Sequence, residues 1–209
     1  MDNNLYLKPQ KCAFNAKEVE YLGMIISPGK IAMDPAKLAG IADWLTPQNT
    51  RQVRSFLGFV NFYRRFINHY LDLARLLNEL TQKDRKFKWG ASQEKAFLAM
   101  KEAFLQVPVL AMPDLMKPFT VEADASKWAM GAVLKQRDLN GDWHPCGFIS
   151  KTFDQTQRNY DVGDRELLGI ITALETWRHY LLGSPHEVTV LSDHKNLMYF
   201  KTPQKLNRR

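Results

Sequence analysis

Hydrophobic and polar positions along this 209-residue chain change period several times, and each change marks an element. Up to residue 32 there are two short strand-like runs, KCAFN and VEYLGMIIS, the second closed by the turn Ser27-Pro28-Gly29, which together predict a hairpin. From about Asp34 to Thr81 the apolar period becomes helical. It breaks at Thr46-Pro47 and restarts with Asn49 or Thr50 as N-cap, leaving room for two or three helices. A helix from about Thr50 to Asn68 carries Val53, Phe56, Leu57, Val60, Tyr63 and Ile67 as a core-facing stripe. Another helix is predicted over Ser92 to Gln106. The segment VPVLAMPDLMKP that follows, with prolines at 108, 113 and 118, predicts extended chain leading into a new unit.

That last unit has the clearest pattern. A β-branched strand ends at Asp124, a second runs from about Ala129 to Arg137, the turn from Asp138 to Asp142 reverses the chain, and a third reaches Lys151. From Asp164 to Leu182, apolar Leu167, Ile170, Ile171, Leu174, Trp177 and Leu181 recur at helical spacing, with Gly183 as the stop. EVTVLSD then forms a short strand ended by Asp193. A strand reached through a helical crossover lies parallel to an earlier strand of its sheet, which predicts this one beside the strand of Asp124. The fold class read from the chain is therefore mixed, α/β and α+β: a hairpin, a helical segment, and a mixed sheet with a helical crossover.

Charge narrows the partners. The formal net charge is +7. Between Gln48 and Gly90 nine Lys or Arg face three acids, so this window holds six of the seven excess charges. On the Thr50 to Asn68 helix, Arg51, Arg54, Gly58, Asn61 and Arg65 recur opposite the apolar stripe, a face suited either to solvent or to a phosphate backbone. The concentration of charge favours nucleic acid. Cys12 and Cys146 stand alone, without metal-ligand spacing, and are expected to be buried free thiols in a reducing compartment. No apolar run is long enough to span a bilayer and the N-terminus has no apolar signal core, so the expected protein is soluble, intracellular and without a membrane partner.

Three acids carry the candidate chemistry. Along a strand, Thr120, Glu122 and Asp124 share one side. An Asp at a strand end suits a turn, and Glu166 near a helix start suits the helix dipole, so each acid alone has an ordinary explanation. The order strand-Asp124, helix-Glu166, strand-Asp193 points instead to convergence at one sheet edge. Clustered carboxylates repel unless a cation neutralises them, which predicts a Mg²⁺ site, with Mn²⁺ as a substitute.

The runs DASKWAMGAVL, NYDVGDRELLGIITALETWRHYL and VLSDHKNLMYF resemble the ribonuclease H domain of reverse transcriptases from Gypsy-type (Ty3-like) LTR retrotransposons. KCAFNAKEVEYLGMIIS, TRQVRSFLGFVNFYRRFI and FKWGASQEKAFLAMKEAFLQVPVLAMPD resemble the end of the palm, the thumb and the connection of the same polyproteins. The resemblance implies the end of the palm with a primer-grip hairpin over 1–32, a thumb-like helical segment over 33–82, a connection over 83–118, and an RNase H-like domain over 119–209 that is incomplete at its C-terminus. Asp124, Glu166 and Asp193 match three of the family's four metal-binding acids. Leu22 and Gly23 fall in the primer grip, and Arg51, Arg54 and Arg65 on the thumb. Lys195 and Asn196, like His194, Arg158, Asn159 and Tyr160, stand where they can contact a hybrid's phosphates or 2′-hydroxyls.

By the same resemblance the parent enzyme copies RNA into DNA and hydrolyses the RNA strand of hybrids by two-metal chemistry. Its partners are an RNA–DNA hybrid or primer-template and the rest of the Pol polyprotein, in the cytoplasm, in virus-like particles there, or in the nucleus. No YxDD polymerase motif is present, and the fourth acid is expected beyond the LNRR stretch, so this piece alone is expected to be weak or inactive as a nuclease. A nucleic-acid-binding module without catalysis, from a degenerate or host-adopted element, is the alternative. A recombinase or integrase on the same fold leaves the thumb-like segment unexplained.

Overall fold

Two consecutive left-handed residues, Leu22 at φ 51° and Gly23 at φ 72°, turn the chain back on itself inside VEYLGMIIS. That is the geometry of a tight two-residue hairpin turn. The predicted single strand is therefore two, β1 (Val19–Tyr21) and β2 (Met24–Ser27), and Pro28-Gly29 folds β3 (Lys30–Met33) back onto β2. The computed structural model describes residues 8, 12, 14–83 and 85–193, and in the predicted strand KCAFN the described residues Cys12, Phe14 and Asn15 form no strand. A later two-residue strand, β4 (Leu110–Ala111), completes an antiparallel sheet in the order β1-β2-β3-β4.

The helices begin where their caps allow. The Asp34 carboxylate accepts from Ala36 N at 2.8 Å and starts α1 (Pro35–Ala42). Asn49 Oδ1 accepts from Gln52 N at 3.0 Å and starts α2 (Thr50–Phe62). The predicted helix to Asn68 stops short at Phe62: a 3₁₀ turn, Arg64–Phe66, and a left-handed His69 at φ 49° separate it from α3 (Tyr70–Glu79). The apolar stripe is nonetheless buried in full, because the bend keeps Tyr63 and Ile67 on the same core. Helix α4 (Ala91–Leu105) packs into that core as well. Phe56 lies at its centre, edge-on to Trp44 at 5.5 Å and to Phe97 at 4.8 Å between ring centroids, whereas Phe62 faces solvent.

The second sheet follows the predicted topology. Its order is β7-β6-β5-β8, from β5 (Thr120–Ala125), β6 (Ala129–Arg137), β7 (Trp143–Thr152) and β8 (Thr189–Leu191). The first three form an antiparallel meander, and β8 is parallel to β5, with Val121 opposite Val190. The crossover is α5 (Val162–Thr176), with a break at Trp177 before the single turn α6 (Arg178–Leu181). Of the expected apolar stripe, Ile170, Leu174, Trp177 and Leu181 pack on the core of this sheet. Ile171 faces solvent, and Glu166, Gly169, Ala173 and Trp177 are buried. Gly169 lies against β6, where an added Cβ would be in van der Waals contact with Met130 Cβ at 3.4 Å. Glu166 thereby lies in the second helical turn, on the sheet side. Cys146 is buried against this sheet and burial pushes its thiol up to about 11, while Cys12 is half-buried. Among the described residues no helix is long and apolar enough to cross a membrane.

The two sheets meet through β7. The 3₁₀ turn and α3 rest on it, Phe148 packs against the helical core, and Leu71 N donates to Ser150 Oγ at 3.2 Å.

Candidate metal centre and nucleic-acid interface

Parallel pairing of β5 with β8 decides where two of the acids go. Glu122 is opposite Leu191, so Asp124 and Asp193, each two residues further on, leave the sheet at the same edge. Both are exposed. Glu166 comes down from α5 and is buried, with Oε1 accepting from Ala125 N at 3.0 Å. One carboxylate oxygen from each of the three lies within 4.8 Å of the others. Glu122, on the same strand face as Asp124, takes no part because Lys135 Nζ pairs with it. A convergent set of carboxylate oxygens alone fits a hard divalent cation.

Asn68 and His69 reach this cleft from the helical segment. His69 Nε2 lies 3.7 Å from Asp124 Oδ2, and its Nδ1 lies 3.6 Å from Asp72 Oδ2. The neighbouring Asp72 carboxylate raises the imidazole pKa, burial opposes the rise, and the charge of Asp124 adds to it. The ring occupies space left by Gly131, the β6 partner of Asp124: a Cβ there would sit 2.7 Å from Nδ1. Ser126 Oγ is 2.9 Å from Asp72 Oδ1 and accepts from Trp128 N and Ala129 N, tying the turn after Asp124 to α3. Asn68, His69, Glu122, Asp124, Gly131 and Asp193 line a cleft of about 470 Å³. Nothing in the periodicity of the sequence marks His69, which sits in a bend and takes a left-handed backbone that His tolerates.

The other predicted contacts lie elsewhere. Leu22, Gly23, Arg51, Arg54 and Arg65 do not line the acid cleft. The three arginines are exposed on the helical segment, and Arg54 Nη2 donates to Thr81 O at 2.9 Å, linking α2 to the chain after α3. Leu22 is exposed at the hairpin tip, whereas Gly23 is buried beneath Tyr63 and Lys37, where a side chain has no room. Its glycine serves the turn and this packing. His194, Lys195 and Asn196 lie outside the described residues.

The chain is 36% identical over 195 residues, 93% of its length, to the Transposon Tf2-3 and Tf2-4 polyproteins of Schizosaccharomyces pombe. Residues 89–190 match the RNase H-like domain found in reverse transcriptase. This chain belongs to the reverse transcriptase and ribonuclease H region of Gypsy-type retrotransposon polyproteins. It spans 15% of the length of those curated relatives. The fold of this retrotransposon region is also that of the foamy viral protease-reverse transcriptase. In complex with double-stranded DNA, that protein matches at a TM-score of 0.75 and 21% identity, over 96% of this chain and 42% of the viral one. In complex with RNA/DNA hybrid it matches at 0.70 and 21%, over 91% and 26%.

Proposed function

We propose that this chain is the part of a retrotransposon reverse transcriptase that holds an RNA–DNA hybrid and hydrolyses its RNA strand at the edge shared by β5 and β8. The convergence of Asp124, Glu166 and Asp193 to within 4.8 Å carries the reading. These three residues would hold Mg²⁺ or Mn²⁺, which when bound supplies Lewis-acid activation of water and neutralises the leaving oxygen. The protein's own contribution is positional. Glu166 is fixed by the Ala125 N–H and by burial, while Asp124 and Asp193 remain open to an incoming phosphodiester. Copying of RNA into DNA belongs to the polyprotein as a whole. The exposed Arg51, Arg54 and Arg65 support the duplex through its phosphates, with the hairpin tip at Leu22 and Gly23 against the primer and with Lys195 and Asn196 beyond Asp193. Foamy viral reverse transcriptase bound to hybrid and to duplex supports a nucleic-acid partner.

Titration calorimetry with Mn²⁺ tests the centre. Asp124→Asn removes one oxygen donor from a cation that prefers octahedral coordination and is expected to weaken binding at least tenfold. Equal affinity in wild type and variant would remove the shared site.

A further inference from the structure

Helix α4 buries Phe97, Met100 and Phe104 in the helical core and turns its opposite side to solvent. On that side Ala91, Leu98 and Leu105 follow one another at intervals of seven residues, and the two leucines are each 52% exposed. Side chains seven apart stand two turns from each other on one face, the spacing of a seam between paired helices. Charges flank this seam on both sides. On one side Glu94 and Lys101 are engaged within the chain: Glu94 Oε2 accepts from Trp89 Nε1 at 2.6 Å, and Lys101 Nζ donates to Trp44 O at 3.0 Å. On the other side Lys95 and Glu102 are exposed, and neither is in an ion pair among the described residues. Glu102 accepts only from Gln106 of its own helix.

Lys95 and Glu102 are also seven residues apart, and their charges are opposite. Glu102 lies in the last turn of α4, where the helix dipole favours a cation over an anion. A second copy of this helix, laid antiparallel against the first, supplies that cation. With a twofold axis between Leu98 and Ala99, midway between residues 95 and 102, Lys95 of one copy meets Glu102 of the other, and symmetry forms the same pair again. The two Leu98 side chains then meet at the centre, and Leu105 of each copy lies over Ala91 at the start of the other helix, large against small. A parallel pairing in register leaves Lys95 and Glu102 about 10 Å apart along the axis. We propose that the outer face of α4 is a self-association surface, through which two copies of this chain pair antiparallel and symmetrically. One patch serves both copies, so the assembly closes as a dimer instead of growing into a filament. The seam shares no residue with the acid cleft or with Arg51, Arg54 and Arg65, and the inference is independent of the proposed function.

Sedimentation equilibrium of the full chain, without nucleic acid, tests the pairing. A seam of one helix belongs to the small class of interfaces, below about 1,200 Å², so the series runs to high protein concentration. The average mass of wild type is expected to rise from that of one chain toward that of two. Lys95→Glu and Glu102→Lys each turn two attractions into two repulsions, and each is expected to weaken association about tenfold or more. The double variant, Lys95→Glu with Glu102→Lys, restores both pairs with their signs exchanged and is expected to associate as wild type does. Leu98→Ser removes the apolar centre and is expected to weaken association in the same assay. All of these positions face solvent, so the circular dichroism of each variant is expected to match wild type. Wild type that stays a single chain at about 1 mM, the weak end of the affinity scale, would overturn the surface. Association left unchanged by the single charge reversals would overturn it too, since the copies would then meet elsewhere. A double variant as weak as the single ones would show that Lys95 and Glu102 do not face each other, and the antiparallel pairing would fall.

Discussion

At the scale of single residues, the acid site depends on one side chain that is missing. Gly131 faces Asp124 across β5 and β6, and the space it leaves is filled by His69 from a different part of the chain. Gly131→Ala puts a methyl group 2.7 Å from the present position of Nδ1, so the imidazole must leave. The contacts of His69 with Asp124 and Asp72 then go together, and the raised pKa of the imidazole returns toward its ordinary value. The His69 resonance in an NMR titration is expected to move to a lower midpoint in Gly131→Ala. A stability loss of about 1–3 kcal/mol is expected to accompany it, as for other overpacked sites. An unshifted midpoint would show that the ring never occupied that seat. Glu122 makes the complementary point: it shares a strand face with Asp124, yet its pairing with Lys135 removes it from the metal set.

At the scale of elements, turns and caps explain most of the boundaries. The β6–β7 turn is held by Asp138, whose carboxylate accepts from Asp142 N at 2.9 Å and Asn140 N at 2.8 Å and meets His144 Nε2 at 3.1 Å. The backbone hydrogen bond from Asp142 is the main reason that its pKa lies below the ordinary value of 3.8, with His144 and Asn140 adding to it. A carboxylate depressed on folding stabilises the native state above its unfolded pKa and loses that contribution as pH falls through the folded one. Asp138→Asn is therefore expected to lower the urea midpoint at pH 7, and the gap to wild type is expected to close below pH 3.8. A gap that stayed constant with pH would assign the effect to turn geometry instead of charge.

Helix α5 shows how an apolar stripe sets the position of a polar neighbour. Ile170, Leu174 and Trp177 pack on the sheet while Ile171 is left in solvent, and in that phase Glu166 is buried beside Ala125. A phase centred on Leu167 and Ile171 would have turned the carboxylate away from Asp124.

At the scale of the whole molecule, two cores are joined across β7. Phe148 packs on the helical core while its strand belongs to the second sheet, and Leu71 N bonds to Ser150 Oγ on that strand. Phe148→Ala removes apolar contact from the junction, with an expected cost of about 1–3 kcal/mol, below the 3–5 typical of a fully buried ring because Phe148 is only half-buried. Calorimetry is expected to resolve one cooperative transition in wild type and two in the variant, since the helical core and the sheet then unfold separately. A single transition at unchanged temperature would show that Phe148 does not couple them. The same junction brings His69 to Asp124 and Arg75 over Trp128, so loosening it is expected to disturb both contacts.

Much of this was legible in the sequence. Strand alternation and helical spacing are local properties of the backbone, and they placed β5, β6, β7 and α4 closely. The order of acids across a strand, a helix and a parallel strand was enough to bring Asp124, Glu166 and Asp193 to one edge, because a crossover of that kind has few ways to return to its sheet. The misreadings were also local. VEYLGMIIS looks like one strand by hydrophobicity, and only positive φ at Leu22 and Gly23 makes it two; the helix read through to Asn68 stops at Phe62 because the buried stripe is continued by a bend. The seat of His69 over Gly131, the pairing of Glu122 with Lys135, and the gathering of Arg75, Lys127 and Arg158 at Trp128 were decided by tertiary structure. Each depends on which strands pair or on how α3 docks against a sheet more than 50 residues further along the chain. No periodicity in one segment records the surface of another, so contacts of this kind exist only once both have folded.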